Sequence, residues 1–328
     1  MIPSGTTLLW LEIAAPIRLD LAIIQALKRR GGAQLSRNAL KELFAQGQIR
    51  LEEAPARGSH LLESGRYPVQ ITWPESAAPN GEEVAQPSPE GAFLPIVFED
   101  ESLLVFDKRS GVTSLPHSAR DVRSAVSAAL AHFPGLARVG RQGKGGLEPG
   151  LLHRLDTGTS GLLAFAKTQT AFNRLSQAWR AGEVRKTYRA WVTHSDRAGV
   201  PQTLELNLGH DPDSAKRMVV LPPGQTRRIR GKPLRTVTHL RREHRVLDAA
   251  ESGALHDIEI EIETGVLHQI RASLHSLGAP VVGDPIYKSL AAPRLWLHAW
   301  KLELPGASGT RLQLEAPLPE GWDEPLGA

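Results

Sequence analysis

Leu152-His153-Arg154-Leu155-Asp156-Thr157-Gly158-Thr159-Ser160-Gly161-Leu162-Leu163 sets a histidine, an arginine and an aspartate inside a hydrophobic run. Upstream, Gly140, Gly143, Gly145, Gly146 and Gly150 predict a loose loop; downstream, Leu162-Leu163-Ala164-Phe165-Ala166 predicts a short buried strand. Asp156 therefore falls where a loop meets a rigid strand, a position that binding and catalytic residues often occupy. Taken alone, an Asp before Thr157-Gly158 is more commonly a turn cap, and both roles stay open at this point.

Moving outward toward the C-terminus, Thr168 reads as the N-cap of a helix burying Phe172, Leu175 and Trp179, with Gly182 just past its end. Val184 to Val192 alternates, which on a strand sets Lys186, Tyr188 and Ala190 on one face and Arg185, Arg189 and Trp191 on the other. Ile258 to Glu263 is a second strand, apolar on one face and acidic on the other. Thr264-Gly265 turns it into a helix whose apolar side is Leu267, Ile270, Leu274 and Leu277; His268, Arg271 and His275 fall on the polar side. Between these elements, Arg227, Arg228, Arg230, Lys232, Arg235, Arg241, Arg242 and Arg245 crowd one stretch. Such a run is either the solvated face of a hairpin or a set of phosphate contacts.

Toward the N-terminus, Ile96-Val97-Phe98 and Leu103-Leu104-Val105-Phe106 predict a hairpin, followed by a basic turn from Asp107 to Val112 and a helix from Ser124 to Phe133. Residues 74–92 are rich in Pro, Glu, Ser, Ala and Gly and read as a linker. Before them, apolar spacing predicts one helix over 16–31 and a second from Ser36 to Gly47, with Arg37 and Lys41 on its outer face. Strands follow at 49–51 and 67–73. This order, with Arg18-Leu19-Asp20, Ser36-Arg37 and Gln46-Gly47-Gln48-Ile49, resembles the S4 RNA-binding domain; a helical hairpin with no RNA role is the alternative. Where that domain carries an Asn-Gly turn, Glu52-Glu53-Ala54-Pro55 stands instead. Single helices interspersed among strands argue for α+β architecture with a mainly antiparallel mixed sheet, beside a small N-terminal α/β domain. The expected division is 1–73, linker 74–92 and 93–328.

Composition narrows the chemistry. The chain has 328 residues, 41% hydrophobic and 23% charged, with a net charge of +4 and no cysteine. Disulfides and thiolate catalysis are excluded. No stretch approaches the roughly 20 apolar residues of a membrane span, and Met1 to Gly5 lacks a basic region ahead of Leu8-Leu9-Trp10, so a cytoplasmic protein is expected. The mild positive charge favours a polyanionic partner. No phosphate loop of the G-x-x-x-x-G-K-[ST] form occurs, and His268 and His275 are not spaced as metal ligands, so neither a metal nor a cofactor is expected. A hydrolytic triad of His153, Asp156 and Ser160 would have to close within one loop lacking a nucleophile elbow.

The motifs together are more specific than any one. His153-Arg154-Leu155-Asp156-x-x-Thr159-Ser160-Gly161-Leu162-Leu163, Lys186-x-Tyr188 and Thr264-Gly265-x-x-His268-Gln269-Ile270-Arg271, then Gly278-x-Pro280-Val281-Val282-Gly283-Asp284-x-x-Tyr287, resemble the RluA family of pseudouridine synthases over about residues 93–322. The resemblance implies that Asp156 is the catalytic aspartate, that Arg271 pairs with it, and that Tyr188 packs on the uracil ring. It further implies that Arg154 fills the space of the flipped nucleotide and that Leu274 lines the pocket, with His153, Lys186, His268 and Gln269 in support. Arg37, Lys41, Arg227, Arg228 and Arg230 are the expected phosphate contacts. A monomer acting on RNA follows, ribosomal RNA ahead of transfer RNA; an RNA-binding assembly protein without activity is the rival. Two departures stand out: Gly265-Val266-Leu267 replaces the family's Gly-Arg-Thr, and Lys108-Arg109-Ser110-Gly111 replaces its Lys-Pro-x-Gly.

Overall fold

A computed structural model describes the chain except residues 1–4, 30–36, 74–83, 92, 119, 141–145, 195–201, 215, 222–227, 249–252, 307–308 and 327–328. It divides into two compact units, Met1–Glu83 and Val84–Ala328.

The first unit contains β1 (Gly5–Ile13), β2 (Ile17–Arg18), α1 (Leu19–Arg29), α2 (Arg37–Ala45), β3 (Ile49–Leu51), β4 (Ala54–Pro55), β5 (Leu61–Leu62) and β6 (Gly65–Trp73). A four-stranded sheet has the order β1-β6-β3-β4. Its inner face, Leu9, Leu11, Ile49, Leu51, Val69 and Ile71, packs on Leu19, Ile23, Leu40 and Leu43 of the two helices. The strand β1 was not anticipated from the sequence: its alternation is masked by the run Leu8-Leu9-Trp10-Leu11, apolar on both faces. The helix expected over 16–31 begins only at Leu19, because Ile17 and Arg18 pair with Leu62 and Leu61. Ser36, the expected start of the second helix, lies outside the described residues. Between β3 and β4, Glu52 and Glu53 both have left-handed backbones, φ 49° and 70°. This is the two-residue turn that Asn-Gly adopts with little strain, built here from two glutamates.

The second unit contains β7 (Ile96–Glu99), β8 (Leu103–Lys108), α3 (Ala125–His132), β9 (Ser160–Ala166), α4 (Gln169–Arg180), β10 (Arg185–His194), β11 (Thr203–His210), β12 (Met218–Leu221), β13 (Arg230–Asp248), β14 (Ala254–Ile262), α5 (Gln269–Ser276), β15 (Leu297–Pro305) and β16 (Arg311–Glu315). One ten-stranded sheet runs β12-β11-β13-β14-β10-β15-β9-β8-β7, with β16 on β15. Every pairing is antiparallel except β15 with β9, so the fold is the mixed, mainly antiparallel α+β type. All seven residues of β9 are buried, because both sheet faces are covered there. Leu163 and Phe165 pack with α3 residues, while Leu162 and Ala164 pack with Phe172 and Leu175 of α4. At Gly161 a Cβ would come within 2.2 Å of the Ala299 carbonyl oxygen, so β9 and β15 approach closely only because that residue is glycine.

Local signals hold where the chain itself supplies the partner. Ser124 accepts from Ser127 N at the start of α3, and Thr168 accepts from Ala171 N at the start of α4. Two expectations need correction. The second part of the presumed linker belongs to the larger unit: Ala85 donates to the Gly146 carbonyl and Ser88 to that of Ser127, and both are buried. Its composition lacks period but offers small residues that fit against the core. The helix after β14 starts at Gln269 rather than at 264–267, because His268 takes a left-handed φ of 52°; Leu267 is left 42% exposed instead of on the apolar side.

Candidate active site

The loop that carries Asp156 is bracketed by residues 108–114. The Ser114 hydroxyl donates to the Leu155 carbonyl at 2.7 Å and accepts from its N–H at 2.9 Å, and the Ser110 hydroxyl donates to the Gly158 carbonyl at 2.7 Å. The Thr157 carbonyl accepts from Gly111 N at 2.8 Å and from Lys108 Nζ at 3.3 Å. Lys108 is wholly buried, not part of a solvated basic turn, and its Nζ also donates to the Val112 and Arg109 carbonyls. Burial pushes its ammonium down to about 7, against the pull of the Asp156 charge. Three carbonyls match its three N–H donors, which explains a buried amine at this place. The sequence marked the turn but not this role for Lys108.

Arg271, on α5, reaches the loop from the other side. Its NH1 donates to Asp156 Oδ2 at 2.8 Å, while Nε and NH2 donate to the two oxygens of Asp284 at 2.7 and 2.8 Å. The arginine is thus divided between two carboxylates, one of them bidentate. Burial works against its charge, but the hydrogen bonds and charges of Asp284 and Asp156 outweigh it and hold its pKa above the ordinary arginine value. Burial likewise opposes the Asp284 charge; Arg271 and the N–H groups of Ile286 and Tyr287 prevail and keep that carboxyl below its usual range. The Asp284 side chain is fully enclosed, whereas that of Asp156 is 20% exposed. Asp156 is therefore the member of the trio that a ligand can reach. Gly283 fixes the approach, since a Cβ there would lie 1.8 Å from the Arg294 carbonyl oxygen.

His268 sits with Nε2 3.7 Å from Asp156 Oδ2 and Nδ1 3.3 Å from the Tyr287 hydroxyl. Its strained backbone, at the residue facing the carboxylate, is of the kind that functional sites retain. Burial lowers its pKa, only partly opposed by Asp156. Tyr188 lies in the core cluster with Leu155, Ile260, Ile262, Ile270 and Leu274. Burial, and then the nearby Asp156 charge, raise its phenol pKa. The site thus joins a half-open carboxylate, a shared guanidinium and an aromatic ring against an apolar wall.

The remaining expected residues have distinct positions. Lys186 donates to the Glu263 and Thr264 carbonyls at 3.4 and 3.1 Å, and burial lowers its amine to about 8. Gln269 donates to the Val237 carbonyl and Thr238 hydroxyl and accepts from Thr264 and Val266. Both hold the turn that delivers His268 and Arg271. His153 does not face Asp156: its ring stacks on Trp179 at 4.9 Å and accepts from Ala164 N. Ser160 pairs with His298 and accepts from Arg294, so the three triad residues do not assemble. Val266 packs against the cluster of Leu208, Met218, Ala272 and Tyr287. Arg154, Lys41 and Arg228 are exposed, Arg227 lies outside the described residues, and nothing of the Arg37 side chain is described. Arg230 donates to the Asp211 and Ser214 carbonyls. Elsewhere in the basic stretch Arg235 pairs with Glu205, Arg241 with Glu261 and Arg245 with Asp323. Much of that charge is matched by acids that lie far away in sequence.

Comparison with known proteins agrees over most of the chain. Residues 102–276 match the family model described as RNA pseudouridylate synthase. A protein of Nitrosomonas europaea named ribosomal large subunit pseudouridine synthase D is 31% identical over 319 residues, covering 93% of this chain and 82% of that protein. A Chloroflexus aurantiacus protein named as an uncharacterized RNA pseudouridine synthase is 35% identical over 290 residues, 87% of this chain and 83% of its own. Among solved structures, human RNA Pseudouridylate Synthase Domain Containing 1 shares the fold with a TM-score of 0.52 at 22% identity, covering 69% of this chain and 84% of that one.

Proposed function

The chain belongs to the RNA pseudouridylate synthase family, whose members are isomerases, and from that premise we propose that it converts uridine to pseudouridine in large-subunit ribosomal RNA with Asp156 as the catalytic carboxylate. The RNA class follows the names of the relatives in Nitrosomonas europaea and Pseudomonas aeruginosa. The observation that carries the site assignment is the sharing of Arg271 between an enclosed Asp284 and a reachable Asp156.

A uracil inside a stack cannot be reached by such a carboxylate, so the nucleotide leaves the stack and enters the pocket. Tyr188 offers its ring to the base and Leu274 closes the apolar wall behind it. Arg154, exposed beside Asp156, takes the place the nucleotide vacates. Asp156 adds to the substrate as nucleophile and leaves again as the free carboxylate; over these steps the bond between base N1 and ribose C1′ breaks, the base turns, and C5 bonds to C1′. The C5 hydrogen leaves as a proton and N1 acquires one, so product and substrate are isomers. Arg271 keeps Asp156 oriented and stabilises its charge; Lys108 and Ser114 hold the loop. In the same reading the unit of residues 1–83 is an S4-like RNA-binding module with Lys41 exposed on α2, and the protein works in the cytoplasm.

The target class is tested by mapping pseudouridines in total RNA from cells with and without the protein. Loss of one or a few sites in large-subunit ribosomal RNA is expected. Sites lost only from transfer RNA would redirect the assignment, and an unchanged map would refute it.

A further inference from the structure

The sheet of the first unit has one face in its core and another turned to solvent. Antiparallel sheets usually make such a face polar. Here it carries Trp10, 43% exposed, and Leu8, 54% exposed. The register sets Trp10 opposite Pro68, Leu8 opposite Gln70, Thr6 opposite Thr72 and Glu12 opposite Arg66; on the next strand Arg50 lies opposite Gln70. Opposed residues share a face, so these side chains form one surface. The Arg66 guanidinium lies 4.7 Å from the Trp10 ring centroid rather than on Glu12 across the ladder. Arg50 and Arg66 are exposed, and among the described residues neither is in an ion pair. The face thus combines an exposed indole with Arg66 against it, a second exposed cation in Arg50, the exposed side chains of Glu12 and Leu8, and amide and hydroxyl groups.

We infer that this sheet face is a second RNA-binding surface that takes an unpaired stretch of the substrate by stacking a base on Trp10, with Arg50 and Arg66 on the flanking phosphates. The partner is named by charge and shape together. Two exposed guanidiniums outside any described ion pair, one of them against the aromatic ring, complement a polyanion that also has flat rings, and unpaired nucleotides are bound through stacking platforms of this kind. Double-helical RNA does not present its bases to such a platform. The surface is on the side of the sheet opposite the two helices. The inference rests on the reading of RNA as substrate and adds to it a place where single-stranded sequence of that RNA is held.

The test uses the full chain and three variants, Trp10→Ala, Trp10→Phe and the double variant Arg50→Gln/Arg66→Gln. Trp10 is exposed, so its truncation opens no core. Affinity is read by fluorescence anisotropy on a labelled oligouridylate and on an RNA duplex of equal length. Trp10→Ala is expected to weaken oligouridylate binding about ten-fold and Trp10→Phe by less than about threefold. The double arginine variant should lower the salt dependence by roughly two phosphate contacts. The duplex should be indifferent to Trp10→Ala. Wild-type affinity of Trp10→Ala for oligouridylate, or equal losses on both RNAs, would overturn the inference. Tritium release separates this from the main reading: Trp10→Ala should need more RNA than the wild type for half-maximal release, whereas a wild type that releases none refutes the assigned reaction and leaves the binding result standing by itself.

Discussion

Arg271 is worth more as a splint than as a charge. Its three donors run to two carboxylates on different loops, and a lysine ammonium cannot reproduce that fork. Arg271→Lys should therefore keep the charge but lose the geometry, lowering the single-turnover rate at least about 100-fold, as displacements near 1 Å do. Arg271→Met should be worse for folding, because it strands the enclosed Asp284; a loss of about 3–5 kcal/mol in denaturant unfolding is expected. A Lys variant with the wild-type rate would show that Asp156 needs only a nearby cation. Of these roles, the pairing of Arg271 with Asp156 was legible in the motifs. That of Asp284 was not, since its sequence neighbourhood reads as a turn and its partner lies 13 residues away through a glycine bend. Lys108 was hidden for a similar reason: a lysine beside Arg109 reads as solvated until the carbonyls around it are known.

At the scale of elements, what was readable was what the chain settles locally. Ser124 and Thr168 capped their helices, Gly182 stood past the end of α4 with φ 73°, and the alternation from Arg185 sorted Tyr188 from Trp191 onto opposite faces. What was not readable depended on distant partners. The edge strand β1 exists because Leu9 and Leu11 find the two helices, and α5 starts late because Gln269 is tied to β13 and His268 bends the entry. The arginines of β13 read as a polyanion site until β14 and β11 set acids against several of them. The β3–β4 turn is an element where a local rule is broken. Glu52 and Glu53 both occupy the left-handed region, which costs an L-residue with a side chain roughly 1–2 kcal/mol. Replacing them with Asn-Gly should stabilise the first unit by about 1–2 kcal/mol in urea unfolding, with the same slope. A destabilised variant would mean that the glutamates make compensating contacts.

For the whole molecule, buried bases set the response to pH. Burial lowers His153 to about 3 and His298 to about 4, from 6.5. Both are neutral in the folded chain at neutral pH, and below about 6.5 the unfolded chain takes up protons that the folded one refuses, so stability falls as pH drops. Lys108 at about 7 and Lys186 at about 8 act with the same sign above neutrality. Up to about 10.5 the unfolded lysines keep protons that the folded ones release, so stability rises with pH. The thermal midpoint is expected to climb from pH 5 to pH 9 in scanning fluorimetry; a maximum near pH 6 followed by a decline would contradict these assignments. The same burial that makes the molecule acid-sensitive holds the Asp156 loop in place without a solvated linkage.

The most direct measurement is tritium release from ribosomal RNA labelled at uracil C5, comparing wild type with Asp156→Asn at saturating RNA. The carboxamide keeps the size of the side chain and its place beside Arg271, but it is no nucleophile. Release by the wild type, none by the variant, and RNA affinity within about threefold of each other are expected, because the charge removed is held by Arg271 and not by phosphate. Undiminished release by Asp156→Asn would contradict the account at its centre.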